Sequence, residues 1–178
     1  YETGEVLFKD FGVSGIAAFN LSSEIARGRA KIGDMLTIDF MPEYSKAEVE
    51  DILTKRNNNG TVAELLLGTF RSKVQERIIR AAGCDANDPA QSKIGAIANA
   101  IKNYKFTIEG LGDASLAQAM SGGLDPREFD DNLMSLKVKN AYATGEALDI
   151  DGDSGGYNLQ WAFSSAKAVA SAILKNRF

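Results

Sequence analysis

The stretch "GEVLF" (4–8) alternates apolar and polar positions with the period of a strand. "SGIAAFNLSSEIARG" (14–28) changes to helical spacing through Ile16, Phe19, Leu21 and Ile25, with a glycine close behind. Alternation returns in "KIGDMLTIDFMP" (31–42), where Leu36, Ile38 and Phe40 oppose Met35, Thr37 and Asp39 up to a proline. "SKAEVEDILTKR" (45–56) starts with a serine and has a glutamate three residues on, the pattern of a capping box. From 61 to 103 only helical patterns occur, in "TVAELLLG", "FRSKVQERIIRAAG" and "AQSKIGAIANAIKN", separated by Gly, Asn, Asp and Pro. The order is strand, helix, strand, capped helix, then a small helical cluster.

After Tyr104 the texture changes. "KFTIEGL" (105–111), "SLAQAMSGGL" (115–124) and "LKVKNAYATG" (136–145) read as strands joined by tight glycine turns. A last helix is predicted over 157–176, with Leu159, Ala162, Phe163, Ala166, Val169, Ala170, Ile173 and Leu174 on one face, expected to be buried. The chain is therefore expected to be mixed α and β, with a boundary near 104 that separates a unit 1–104 from a unit 105–178.

Composition narrows the chemistry more than the fold. The chain has 178 residues and no histidine, which removes Ser-His-Asp and Cys-His catalysis and His-ligated zinc, and leaves acid–base work to carboxylates, lysines and tyrosines. Cys84 is the single cysteine, so no intrachain disulfide can form, which fits a reducing cytoplasm. Net charge is −4 and the basic residues are scattered in sequence, so neither nucleic acid nor membrane is expected as a partner. The chain starts at Tyr1 and is expected to be a piece of a longer protein.

Candidate chemistry concentrates in "ATGEALDIDGDSGGYNLQWAFSSAKAVASAI" (143–173), where an acidic, glycine-rich loop runs into the last helix. A glycine turn at a helix N-terminus exposes backbone N–H groups and the positive end of the helix dipole, a cradle for an anion or a polar ligand. Three readings compete. Asp149, Asp151 and Asp153 stand at positions 1, 3 and 5 of a calcium loop, but Ser154 replaces the position-6 glycine and Gln160 the position-12 glutamate. The acids and glycines alternatively only shape a solvated turn. In the third reading one acid takes a ribose or ribityl hydroxyl while the helix N-terminus faces an electron-rich ring edge.

"TGEALDIDGDSGGYNLQWAFSS" (144–165) resembles the C-terminal signature of a family of bacterial and archaeal FAD-dependent flavoproteins, the NAD(P)/FAD-dependent oxidoreductases that include aminoacetone-oxidase-like and dehydro-bile-acid-reductase-like branches. "MSGGLDPREFDDNLMSLKVKNAYATGE" (120–146) and "GEVLFKDFGVSGIAAFNLS" (4–22) are similar to two further segments of the same family, so the resemblance spans nearly the whole chain. Lys9 and Ile16 stand where many relatives have Thr and Pro, and Ala166 or Lys167 where they have Gly.

The resemblance implies an inserted β-plus-helical domain (1–104) followed by the C-terminal portion of a Rossmann-like FAD-binding domain (105–178). It also implies that the N-terminal half of that FAD domain is missing here, since no GxGxxG strand–turn–helix is found. Gly145 and Glu146 would lie at the cofactor, the Glu146 carboxylate accepting a hydrogen bond from the ribityl chain. Gly155, Gly156, Tyr157, Asn158 and Leu159 would bring backbone N–H groups to the pyrimidine edge of the isoalloxazine. Asp149 and Asp151 would hold the loop through its own amides, Gly152 would take a left-handed turn position, and Ser121, Gly122 and Gly123 would form a tight turn. FAD would be the cofactor, NAD(P)H the electron donor, and a small molecule the substrate. The rival reading is a non-enzymatic module, calcium-stabilised or partner-binding.

Overall fold

The structure is a computed structural model that describes residues 1–10 and 12–175. Four short strands and six α-helices occur among the described residues: β1 (Leu7–Lys9), β2 (Gly12–Ser14), α1 (Ile16–Ala26), β3 (Met35–Ile38), α2 (Lys46–Arg56), α3 (Val62–Leu66), α4 (Ser72–Ala81), α5 (Ile94–Lys102), β4 (Tyr104–Thr107) and α6 (Tyr157–Lys175). β1 pairs with β2 and β3 with β4, both antiparallel, so the described sheets are two-stranded ribbons. The Asn176 end expected for the last helix lies outside the described residues.

Two compact units result: residues 33–108, and residues 1–32 together with 109–178. This differs from the expected grouping of 1–104. Side chains of α1 bond into the loop at 149–154, through Arg27 to Asp149 and Asp151 and through Asn20 to the Ser154 N–H. Strand β4 belongs with β3, which carries the 33–108 unit past the expected boundary.

The 33–108 unit follows its sequence pattern closely. Ser45 and Glu48 form the expected capping box on α2, and Thr61 with Glu64 forms a second one on α3. One core joins the four helices: Val49 and Leu53 from α2, Val62 and Leu66 from α3, Ile78 from α4, and Ile97 and Ile101 from α5 are almost fully buried. Phe40 meets Phe70 and Tyr104 edge-on at ring distances of 5.7 and 5.5 Å, closing this core on the strand side. Lys102, in the last turn of α5, pairs with Asp39 at 2.7 Å and donates to the carbonyls of Met41 and Tyr44, which fixes the segment that leads from β3 to α2. The Gly33 N–H donates to the Ile108 carbonyl at 2.8 Å, so the unit begins and ends side by side.

In the other unit two expected strands are not formed. Residues 111–120 are exposed throughout, and Asp113 caps a 3-10 turn at Ala114–Leu116 instead. Between 136 and 145, Ser135 Oγ accepts from the Lys137 and Val138 N–H groups, and Leu136 and Val138 are left exposed. The alternation there has no covering layer, and local side-chain bonds to the backbone outcompete a ladder. Between residues 109 and 175 only isolated bridges remain, Phe129 with Ser135, Met134 with Tyr142 and, in parallel sense, Leu124 with Leu148.

Helix α6 forms as predicted but buries a different face. Ser165, Val169 and Ala172 are the buried positions, whereas Leu159, Phe163, Ala166, Ala170 and Leu174 are exposed. Of the apolar stripe read from the sequence, Val169 is buried and Ala162 and Ile173 are half-buried, while the rest is left exposed among the described residues.

Two outcomes check this packing. Ile97→Ala, in the fully buried centre of the helical core, should cost about 2–5 kcal/mol in a denaturant melt. Limited proteolysis should cut first within 110–120, where the backbone is exposed, and should spare 103–105, held in the α5–β4 junction and the β3–β4 pair.

Candidate functional site

The loop that joins residue 144 to α6 is shaped by its own helix. Gly145 is buried with φ 59°, a left-handed value that favours glycine. Its N–H donates to Ser165 Oγ at 2.9 Å and its carbonyl accepts from Trp161 Nε1 at 3.0 Å, so α6 satisfies both backbone groups. The Ser165 hydroxyl in turn donates to the Trp161 carbonyl at 2.7 Å. Trp161 is therefore a strut for the loop, with its ring half-buried against the unit.

Around this fixed point the carboxylates do not bond to their own loop amides as expected. They reach across to the 120–124 turn. The Met120 N–H donates to Glu146 Oε1, the Gly122 N–H to Asp149 Oδ1 at 3.1 Å, and Ser121 Oγ to Asp151 Oδ2 at 3.1 Å. Gly122 and Gly123 have φ of 110° and 134°, which makes the expected tight turn. A Cβ at Gly123 would stand 2.8 Å from the Ala147 carbonyl oxygen, so the two strands of chain touch there through bare backbone. Backbone bonds from the Leu124 N–H to the Ala147 carbonyl (2.9 Å) and from the Asp149 N–H to the Leu124 carbonyl (2.8 Å) zip the segments together.

Arg27, at the end of α1, neutralises the acidic cluster. Its guanidinium lies against Asp151 and 3.5 Å from Asp149, with the Asp151 side chain only 12% exposed. The sequence did not single it out, nor Asn20, whose Oδ1 accepts from the Ser154 N–H at 2.8 Å. Their only signal was position, one helical turn apart or more on a helix that ends at a glycine. Ser165 was equally silent, one of several serines on a small-residue helix.

Gly152 does not take the left-handed position expected of it. The Asn158 side chain clamps it, accepting from its N–H at 2.8 Å and donating to its carbonyl at 3.0 Å. The left-handed turn falls instead at Gly155 and Gly156, with φ of 131° and 95°, directly before α6. Nothing lies within 4 Å of a Cβ built on Gly156. Tyr157 and Leu159 are exposed on the first turn of α6, at 65% and 67%. Of the site residues named from the sequence, Gly145, Glu146 and Asn158 thus have structural partners, Gly155 lies beside the Tyr157 ring, and Gly156, Tyr157 and Leu159 border open space.

Asp125, just beyond the 120–124 turn, is bound by the side chain of Arg127, which holds its carboxyl down to about 2. It is a carboxylate throughout the ordinary pH range and has no proton to give. Nearby, a hollow of about 280 Å³ is lined by Leu124, Phe129, Val138, Ala141 and Tyr142, with the Glu128–Lys137 ion pair (2.5 Å) among its walls. It is small by the standard of ligand pockets.

A glycine turn thus feeds a long helix and is tied through carboxylates to a second glycine turn. The chain belongs to the FAD-dependent oxidoreductase family whose segment is described as "HI0933-like protein barrel and H2TH domain", matched by residues 1–119. The 3-dehydro-bile acid delta(4,6)-reductase of Clostridium scindens is 33% identical over 180 residues, 96% of this chain and 44% of that protein. The ribosomal RNA dihydrouridine synthases of Haemophilus influenzae and Escherichia coli are each 26% identical, over 95% of this chain and 42% of theirs. The chain thus spans less than half the length of these relatives. No described helix is long and apolar enough to cross a membrane.

Ser165→Ala should remove the acceptor of a buried N–H and cost about 1–3 kcal/mol of stability. Arg27→Met should leave two adjacent carboxylates without their cation. Chemical-shift changes in that variant should centre on 120–124 and 146–154; changes confined to α1 would contradict the linkage.

Proposed function

We propose that residues 109–178 supply the flavin-side loop and helix of an FAD site and complete a Rossmann-like domain in a cytoplasmic oxidoreductase. The observation that carries this reading is the left-handed pair Gly155–Gly156 ahead of α6, with open space where a Cβ of Gly156 would stand. A flat ring system can approach bare backbone there, and the first N–H groups of α6 have no partners within the helix. The residues fit the group. Gly155, Gly156, Tyr157, Asn158 and Leu159 would offer N–H donors to the pyrimidine edge of the isoalloxazine. Glu146 would offer the carboxylate oxygen that is not taken by Met120 to a ribityl hydroxyl.

Bound FAD supplies the hydride chemistry of such a site, with NAD(P)H as its reductant. The protein's own contribution is to hold the ring edge where negative charge collects on reduction, close to the positive end of the helix dipole. Arg27 keeps Asp149 and Asp151 from opposing that charge, since the two carboxylates are already paired. The relatives' names bring two substrate classes to this chain, a bile acid and ribosomal RNA.

The test is the visible flavin spectrum of a chain extended to the relatives' full length. That protein should be yellow and should be bleached by NADH or NADPH. Gly156→Val should abolish flavin retention, because the side chain fills the approach and strains a left-handed residue. Glu146→Gln should weaken it about tenfold, the loss of one charge-assisted bond. The 178 residues alone lack a glycine-rich pyrophosphate grip and should bind FAD at least about a thousandfold more weakly. A yellow Gly156→Val protein would overturn the assignment of the loop.

A further inference from the structure

The 33–108 unit carries ten basic and ten acidic residues, so its charge sums to nothing, yet the structure distributes it unevenly. Lys46 pairs with Glu50, Lys55 with Asp51, Lys93 with Asp88 and Lys102 with Asp39. Arg56 is spent on the Leu67 carbonyl and the Thr69 hydroxyl. The cations of α4 are different. Arg71, at its start, and Lys73, Arg77 and Arg80 along it have no ion pair with any described residue, and all four are exposed. Lys73, Arg77 and Arg80 are spaced i, i+4, i+7 and so share one face, while Val74 and Ile78 turn to the core on the other. Glu76 is the one acid on the helix.

We infer that this face of α4 is a docking strip for the phosphodiester backbone of RNA. From Lys73 to Arg80 the helix rises about 10 Å, long enough to reach more than one phosphate of a chain. A single phosphate would engage one end of such a strip; a chain of phosphates engages all of it. Lys46, Lys55, Lys93 and Lys102 are held by neighbouring carboxylates and Lys105 stands apart on β4, so counterion release on binding would come mainly from α4. No aromatic side chain stands among these four cations in the helix, so the strip reads charge and spacing rather than base identity. Scattered basic residues in the sequence spoke against a polyanion partner; the pairing of Lys46, Lys55, Lys93 and Lys102 is what leaves α4 as the unit's concentrated site. The choice of RNA over other phosphodiesters rests on the reading above and names a substrate class for it. Binding by the strip does not require the flavin.

The experiment is fluorescence anisotropy of a labelled RNA hairpin with the full chain, titrated between about 50 and 200 mM salt. Four phosphate contacts should give a slope of log affinity against log salt near −3 to −4. Lys73→Gln combined with Arg77→Gln and Arg80→Gln should lower the slope by about 2–3 and reduce affinity at least tenfold. A control with the same charge loss, Lys46→Gln, Lys55→Gln and Lys93→Gln, should leave both close to their starting values. Glu76→Lys should raise the slope by about 1, a gain that damage to the fold cannot mimic. A wild-type slope under about 1, or equal losses in the two triple variants, would sink the strip. Equal affinity for duplex DNA of the same sequence, or preference for phosphatidylserine vesicles, would overturn RNA as the partner. A colourless extended protein that still binds RNA through α4 would count against the flavin reading alone.

Discussion

The candidate site hangs on the two backbone bonds of Gly145. Because α6 receives the N–H through Ser165 and fills the carbonyl through Trp161, the loop and the helix cannot shift independently. Both bonds are shielded, Ser165 being 1% exposed, so neither competes freely with water. From that anchor the chain leads to Glu146, then to the strip zipped against the 120–124 turn, and finally to Gly155 and Gly156. The geometry at the helix N-terminus is thus inherited from a contact two turns inside the helix.

The acidic loop shows how charge is managed once the anchor is set. Asp149 and Asp151 would repel each other and the 120–124 carbonyls if they faced an open turn. Arg27 on one side and the Ser121 and Gly122 donors on the other convert that repulsion into cross-links between three separate parts of the sequence. Removing any one partner leaves a half-buried charge, which costs more than the bond it made.

What the sequence reveals depends on whether the cause is local. The capping box at Ser45, the α4 and α5 periodicities and the glycine turn at 122–123 are set by residues within a few positions, and these were readable. The strands expected at 115–124 and 136–145 were not formed, because alternation makes a strand only when another layer covers it. The buried face of α6 was misplaced for a related reason: Leu159, Phe163 and Leu174 outweigh Ser165 in any apolar count, yet Ser165 has the partner. The loop glycines Gly145, Gly155 and Gly156 were named through the family resemblance, while the left-handed position was expected at Gly152 and falls at those three instead. Arg27 could not be picked out, since its role depends on a residue more than a hundred positions away.

The Gly33–Ile108 hydrogen bond carries a consequence for the history of the chain. A module whose entrance and exit are neighbours in one ribbon can be lost, enlarged or exchanged between genes while the flanking peptide needs only to bridge a single strand spacing. Its four-helix core is complete within those bounds, so natural variation can rework α2 to α5 freely. The remainder of the polypeptide, by contrast, is knotted together by side chains from both of its segments, and drift there must be compensated across the gap.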